Sequence, residues 1–146
     1  MDFWDTSALI KLYHPEPDSA WFEAYAISQS GPFYVSSVTE VEIGSPIVRR
    51  ILQGTLKPSS LARVRGDFRR DAALGRLISI PCTQEVINRA VGVADSAASA
   101  ARPGILRSLD AIQVATALVV GAKTMVATDV RLREAASRNG LKLIPR

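Results

Sequence analysis

Short apolar runs alternate along the chain with longer stretches in which apolar residues return every third or fourth position. Met1 to Trp4 is one such brief run. It stops at Asp5-Thr6-Ser7, three residues suited to cap a helix, ahead of Ala8-Leu9-Ile10-Lys11-Leu12-Tyr13. This order predicts a buried strand turning directly into a helix. His14-Pro15-Glu16-Pro17 interrupts that helix, and Asp18 to Ser30 resumes the helical pattern with Trp21, Phe22, Tyr25 and Ala26 on one face, until Gly31-Pro32 ends it. Phe33 to Ser36 reads as a second strand, after which Ser37 or Thr39 is placed to cap a helix carrying Val41, Val48, Ile51 and Leu52 up to Gly54. A further helical stretch, Ser59 to Leu74, follows Pro58 and holds few large apolar residues.

Leu77 to Ile80 is a strand closed by Pro81, and Thr83-Gln84-Glu85 opens an alanine-rich helix running to about Ala100. Arg102-Pro103-Gly104 reads as a loop. Leu109 to Val120 has the composition of a buried helix, Lys123 to Thr128 of a buried strand, Val130 to Arg138 of an amphipathic helix and Leu141 to Ile144 of a last strand. Gly121 and Gly140 fall at helix ends. Strands that are apolar rather than alternating, separated by helices, predict an α/β fold: an α/β/α sandwich around a central, mostly parallel sheet.

Composition narrows the class. At 146 residues, 47% apolar and 22% charged, the chain is expected to form a single domain over residues 1–146 with a sizeable core, which excludes disorder and a disulfide mini-protein. The lone Cys82 makes no internal bridge, so a cytoplasmic protein is expected. Acids near the N-terminus are unlike a signal peptide, and the most apolar stretch, Ala111 to Ala122, contains Gln113 and is roughly half the ~20 residues a bilayer needs. No membrane contact is expected. The formal charge of +4 suits an anionic partner once the charges are located.

An open parallel sheet binds ligands at the carboxyl ends of its strands, near the switch in strand order. Asp5 ends the first predicted strand and Asp129 follows the fourth, while Asp110 begins the buried helix and Glu42 lies in the first turns of the helix after the second strand. Each has an ordinary structural explanation. Asp5 and Asp129 fit helix N-caps, Asp110 suits the positive end of its helix, and Thr39-Val41-Glu42 falls into a Thr-x-x-Glu capping box. Caps explain single positions better than four acids at strand ends or early in helices, with no basic residue adjacent in sequence to Asp5, Asp110 or the Thr128-Asp129 pair. Gathered carboxylates repel unless a divalent cation holds them, and oxygen ligands suit Mg²⁺ or Mn²⁺. Zinc would favour His and Cys, but His14 and Cys82 have no ligand spacing. His14 is read as a surface loop residue and Cys82 as a partly buried small side chain.

Four blocks carry a family resemblance. Asp5-Thr6-Ser7-Ala8-Leu9-Ile10-Lys11-Leu12-Tyr13, Ser37-Val38-Thr39-Glu40-Val41-Glu42, Ser108-Leu109-Asp110-Ala111-Ile112-Gln113-Val114-Ala115-Thr116-Ala117 and Val126-Ala127-Thr128-Asp129-Val130-Arg131-Leu132 resemble, in order, the signature blocks of the PIN-domain family. Within it they look like the VapC toxins of prokaryotic toxin–antitoxin pairs. The resemblance covers residues 1 to about 136 and implies a metal-dependent endoribonuclease inhibited by a VapB-like antitoxin. It assigns the family's four acids to Asp5, Glu42, Asp110 and Asp129, with Mg²⁺ or Mn²⁺ held by Asp5 and Asp110, helped by Asp129 or water. A metal-activated water would then attack the phosphodiester in line. Glu42 would hold a second ion through water or orient the nucleophile. Thr6 and Thr128 would bond to the ligands or the scissile phosphate, or else cap their helices. Glu40 competes with Glu42, but two residues apart on a helix they differ by about 200° in direction. The family pattern selects Glu42. Gln113 stands where the family often has a His that is not a ligand.

Residues 46–76 contain Arg49, Arg50, Lys57, Arg63, Arg65, Arg69, Arg70 and Arg76, eight of the 18 basic residues. The stretch reads as an RNA footprint, as a solvated helix face with Arg63-Asp67 and Asp67-Asp71 neighbours, or as part of the antitoxin's seat. A homodimer, and a heterotetramer or larger with antitoxin, is implied by the resemblance. The Trp21, Phe22 and Tyr25 face offers either an interface or core. A phospho-aspartate phosphatase would need a second Asp where Ser7 stands, a receiver domain an acceptor after Leu77 to Pro81, and a P-loop enzyme a Gly-Lys-Ser/Thr element. The remaining alternative is a non-catalytic PIN-like module that binds RNA or protein.

Overall fold

The buried strands and amphipathic helices expected from the sequence assemble in that order in the computed structural model, which describes residues 1–99 and 106–145. The expected Arg102-Pro103-Gly104 loop, and Ala100 at the expected end of its helix, lie outside them. The elements are β1 (Asp2–Trp4), α1 (Thr6–Leu9, continued by a 3₁₀ turn, Ile10–Leu12), α2 (Ser19–Ser28), β2 (Phe33–Ser36), α3 (Thr39–Glu42), α4 (Ser45–Leu52) and α5 (Ser59–Ala73). They continue with β3 (Leu77–Ile80), α6 (Gln84–Ser96, followed by a 3₁₀ turn), α7 (Ser108–Val119), β4 (Thr124–Val126), α8 (Val130–Arg138) and β5 (Lys142–Ile144).

All strand pairs are parallel, in the order β3-β2-β1-β4-β5. The register sets Phe3 beside Tyr34 and Met125, and Trp4 beside Val126. Because successive residues point to opposite faces, Phe3 and Met125 join a core with α6, α7 and α8, while Trp4 and Val126 join another with α1, α2, α4 and α5. Both faces are covered, which is why the strands show no apolar–polar alternation. Gly121 and Gly140 end α7 and α8 at φ values of 72° and 84°, a left-handed turn that glycine adopts without strain.

The helix expected from Thr39 to Gly54 is broken. Pro46 has no amide to donate to the Glu42 carbonyl, and Arg65, lying where a Cβ on Gly44 would meet it at 2.4 Å, donates to the Glu40 carbonyl that the Gly44 amide would otherwise take, so α3 and α4 are separate helices. The break buries Ile43 and Ile47, whereas Val41 and Leu52 are exposed. Neither expected cap forms. Ser37 Oγ accepts from the Cys82 amide at 3.1 Å, and buried Thr39 accepts from Gln113 at 3.1 Å. His14 is not on the surface, either: its ring is buried, and Nε2 accepts from Arg50 Nη1 at 2.7 Å. The His14–Asp18 turn folds back because Lys11, itself buried, bonds Glu16 and Asp18. Cys82 is partly buried, as expected.

Most of the arginine-rich stretch is committed within the chain. Arg63 donates to the Tyr13 carbonyl, Arg65 to the Glu40 carbonyl and Arg69 to the Glu40 carboxylate, while Arg70 and Arg76 pair with Asp67 and Asp71. The expected aromatic face divides: Phe22 is core, and Trp21 stacks on Tyr25 at the surface. Among the described residues no helix is long and apolar enough to cross a membrane.

Candidate functional site

The chain runs β1-β2-β3 to one side of the sheet and then returns to lay β4 and β5 on the other. The reversal falls between β1 and β4, and a crevice opens at their carboxyl ends. The backbone ties these ends together. The Asp5 amide donates to the Val126 carbonyl at 2.9 Å, and Ser7 Oγ accepts from the amides of Thr128 at 2.9 Å and Asp129 at 3.2 Å. Asp5 and Asp129 are thereby brought together from opposite ends of the sequence.

Both are caps, as their ordinary reading expected. Asp5 Oδ2 accepts from the Ser7 amide at 2.8 Å, and Asp129 Oδ1 accepts from the amides of Arg131 and Leu132 at 3.0 and 3.1 Å. Capping leaves Asp129 Oδ2 free for other partners. Asp110 lies in the first turn of α7 and is buried without capping it. Glu42 ends α3, and its Oε2 accepts from the Thr6 hydroxyl at 3.0 Å and from Gln113 Nε2. Glu40 points away, to Arg69.

Asp5, Glu42, Asp110 and Asp129 line one cleft of about 300 Å³, with Thr6, Ser7, Arg49 and Arg107 among its other walls. Thr6 is committed to Glu42. Thr128 does not line this cleft, because its hydroxyl donates to the Ser7 carbonyl at 3.2 Å and braces the β1–β4 junction.

Two further residues at the site carry a signal in the sequence. Gln113 is fully buried three residues after Asp110, so it shares that face of α7, and its Nε2 lies 3.1 Å from both Thr6 Oγ1 and Thr39 Oγ1 as well as bonding Glu42. A polar side chain inside the most apolar stretch was the clue. Arg107, three residues before Asp110, corrects the reading of acids without a basic neighbour. Its Nε donates to Asp110 Oδ2 at 2.8 Å and its Nη2 to Asp110 Oδ1 and Asp129 Oδ2, both at 3.2 Å. The spacing that pairs helical residues three apart was the available signal.

Burial raises the Asp5 pKa to about 6 against the Ser7 hydrogen bonds, and the charges of Glu42 and Asp110 add smaller upward contributions. Burial also pushes Glu42 up, against the hydrogen bonds from Gln113 and Thr6. Both carboxylates are disfavoured as anions, a condition that a hard cation relieves. An all-oxygen set of this kind fits Mg²⁺ or Mn²⁺. Among the described residues no three carboxylate, His or Cys groups are arranged to hold one ion together. Asp110 and Asp129 are turned onto Arg107 instead.

A family model described as PIN domain matches residues 3–137. The structure of Mycobacterium tuberculosis VapC20, a Sarcin-Ricin loop cleaving toxin, is similar at 14% identity and a TM-score of 0.69, over 92% of this chain and 95% of that one. The Rickettsia felis VapBC2 structure, bound to a DNA fragment from its promoter, is similar at 15% identity and a TM-score of 0.64, over 97% and 96%. A toxin-antitoxin complex from Klebsiella pneumoniae gives 18% identity and a TM-score of 0.59, over 90% and 88%. At such identities the likeness establishes the fold. No curated protein matches the chain in sequence.

Proposed function

The chain belongs to the PIN domain family, and on that premise we propose that it is a metal-dependent endoribonuclease, a VapC-like toxin acting in the cytoplasm as a single domain. The observation that supports this reading most directly is the convergence of Asp5, Glu42, Asp110 and Asp129 on one cleft where the strand order reverses. Asp5, Asp110 and Asp129 would hold Mg²⁺ or Mn²⁺. When bound, the ion supplies Lewis acidity: it makes water a stronger acid and offsets the charge building on a phosphodiester. Glu42 orients the attacking water and accepts its proton at Oε1, since Oε2 is held by Thr6 and Gln113. Ser7 and Thr128 keep the β1 and β4 ends joined, so Asp5 and Asp129 retain their spacing during the reaction. Arg49, on the cleft wall, meets the substrate's phosphates.

A VapB-like antitoxin is the proposed partner, supported by the similarity to a toxin-antitoxin complex, with a homodimer as the unit it binds and a heterotetramer or larger as the assembly. The test is cleavage of structured RNA by purified protein. Activity is expected with Mg²⁺ or Mn²⁺ and should stop with EDTA. Asp5→Ala or Asp110→Ala should lower it by more than the about 100-fold that loss of a supporting partner costs a metal site. Cleavage that survives both substitutions would place the chemistry elsewhere. RNA affinity without cleavage under any metal would make the chain a binding module.

A further inference from the structure

Arg107 is the charged residue lining the cleft that the proposed reaction does not use. It precedes the first turn of α7 with an extended backbone, φ −67° and ψ 149°, and its guanidinium spans the two acids. Both oxygens of Asp110 are engaged by this one cation, and Asp129 Oδ2 is engaged with them. Oxygens on these carboxylates are what a divalent ion would need, and two positive groups cannot share them at contact distance.

The asymmetry of the pair says which partner yields. The Arg107 side chain is 61% exposed, whereas that of Asp110 is 6% exposed. Released, the guanidinium returns to water at little cost, whereas Asp110 stays in the cleft and offers its oxygens to the cation that takes its place. Asp129 keeps its orientation after such an exchange because Oδ1 remains on the amides of Arg131 and Leu132. Across the cleft, Asp5 has no cationic partner among the described residues, so an incoming ion meets one carboxylate for which nothing competes.

We propose that Arg107 is a resident counter-ion that a divalent cation must displace from Asp110 and Asp129, so that this one side chain sets the metal affinity of the cleft. The proposal rests on the reading of the cleft as a metal site. It makes metal uptake an exchange of cations rather than the filling of bare carboxylates, and it keeps the buried Asp110 paired when metal is scarce.

The test is Mn²⁺ titration, by calorimetry and by electron paramagnetic resonance, of the metal-free full chain without RNA. Arg107→Gln should bind Mn²⁺ roughly tenfold more tightly than the wild type, the scale of a charge-assisted contact half open to water, and Arg107→Lys should fall between them. In the wild type, the Arg107 Nε–H resonance should shift as Mg²⁺ is added. Equal or weaker binding by Arg107→Gln, with Mn²⁺ still bound by the wild type and lost in Asp5→Asn, would overturn the exchange and leave the metal site standing. Absence of Mn²⁺ binding in every chain would overturn both.

Discussion

The two sides of the cleft hold their carboxylates by different means. Asp5 and Glu42 are held by uncharged donors: the Ser7 amide, the Thr6 hydroxyl and the Gln113 carboxamide. Asp110 and Asp129 share the Arg107 guanidinium. Neutral donors orient an anion without cancelling its charge, and burial accordingly raises the pKa of Asp5 and Glu42. A guanidinium cancels charge but occupies the oxygens it neutralises. One side therefore needs a cation, while the other already has one that can be exchanged.

The largest effect that can break this comparison is at Asp5. Its pKa is about 6 in the folded protein against an ordinary 3.8, so the folded chain holds the proton more tightly than the unfolded one. Stability falls as the pH rises from about 4 to 6, and the full cost of the bare carboxylate, about 3 kcal/mol, is present above that window. Asp5→Asn keeps an acceptor for the Ser7 amide and removes the charge. In urea unfolding of metal-free protein it should therefore be more stable by about 2–3 kcal/mol at pH 7.5, with the gain gone below pH 4. A gain equal at both pH values would mean that packing, not charge, was the cause.

A smaller loss is expected at Gln113, the neutral donor of the same side. Gln113→Leu leaves Thr39 Oγ1 buried without that donor and Glu42 Oε2 with Thr6 alone. The wild-type Oε1 of Gln113 is itself buried without a partner, and its removal offsets part of the cost. The expected net loss is about 2 kcal/mol in thermal or urea unfolding at pH 7.5. A change within about 0.5 kcal/mol, the range of an ordinary surface substitution, would show that Glu42 does not depend on the carboxamide.

What the sequence disclosed and what it hid divide along the same line. Elements set by local chemistry were legible: Asp5 and Asp129 cap α1 and α8, Thr83 caps α6, and parallel strands follow from uninterrupted apolar runs. The four acids reach one cleft because each follows a strand or lies in the first turn of a helix, positions that a parallel sheet gathers at one edge. Long-range side-chain contacts were hidden. Arg65 takes the Glu40 carbonyl from the Gly44 amide just where Pro46 interrupts a helix whose periodicity ran on, and Gln113 takes the Thr39 hydroxyl away from its expected cap. His14 is covered because Arg50, 36 residues away, donates to its ring. Of the eight basic residues that suggested an RNA surface, Arg49 is the one that lines the cleft, since charge pairing depends on which helix packs beside which.

The smallest effect is expected on the other side of the cleft. In folding, unlike in metal binding, the Arg107 pair should matter little, because one partner is 61% exposed and the pair is open to salt. Arg107→Gln retains a donor, and trimming the longer side chain admits water to Asp110. The expected loss is under about 1 kcal/mol at low ionic strength and vanishes near 1 M salt, where screening acts over about 3 Å. Urea unfolding of both chains at the two salt concentrations measures it. A loss above about 2 kcal/mol that persists in salt would mean that Asp110 stays dry without its partner, the behaviour of a buried pair. Arg107 would then be a structural ion rather than an exchangeable one, and the two sides of the cleft would differ in donor type but not in their readiness to accept a metal.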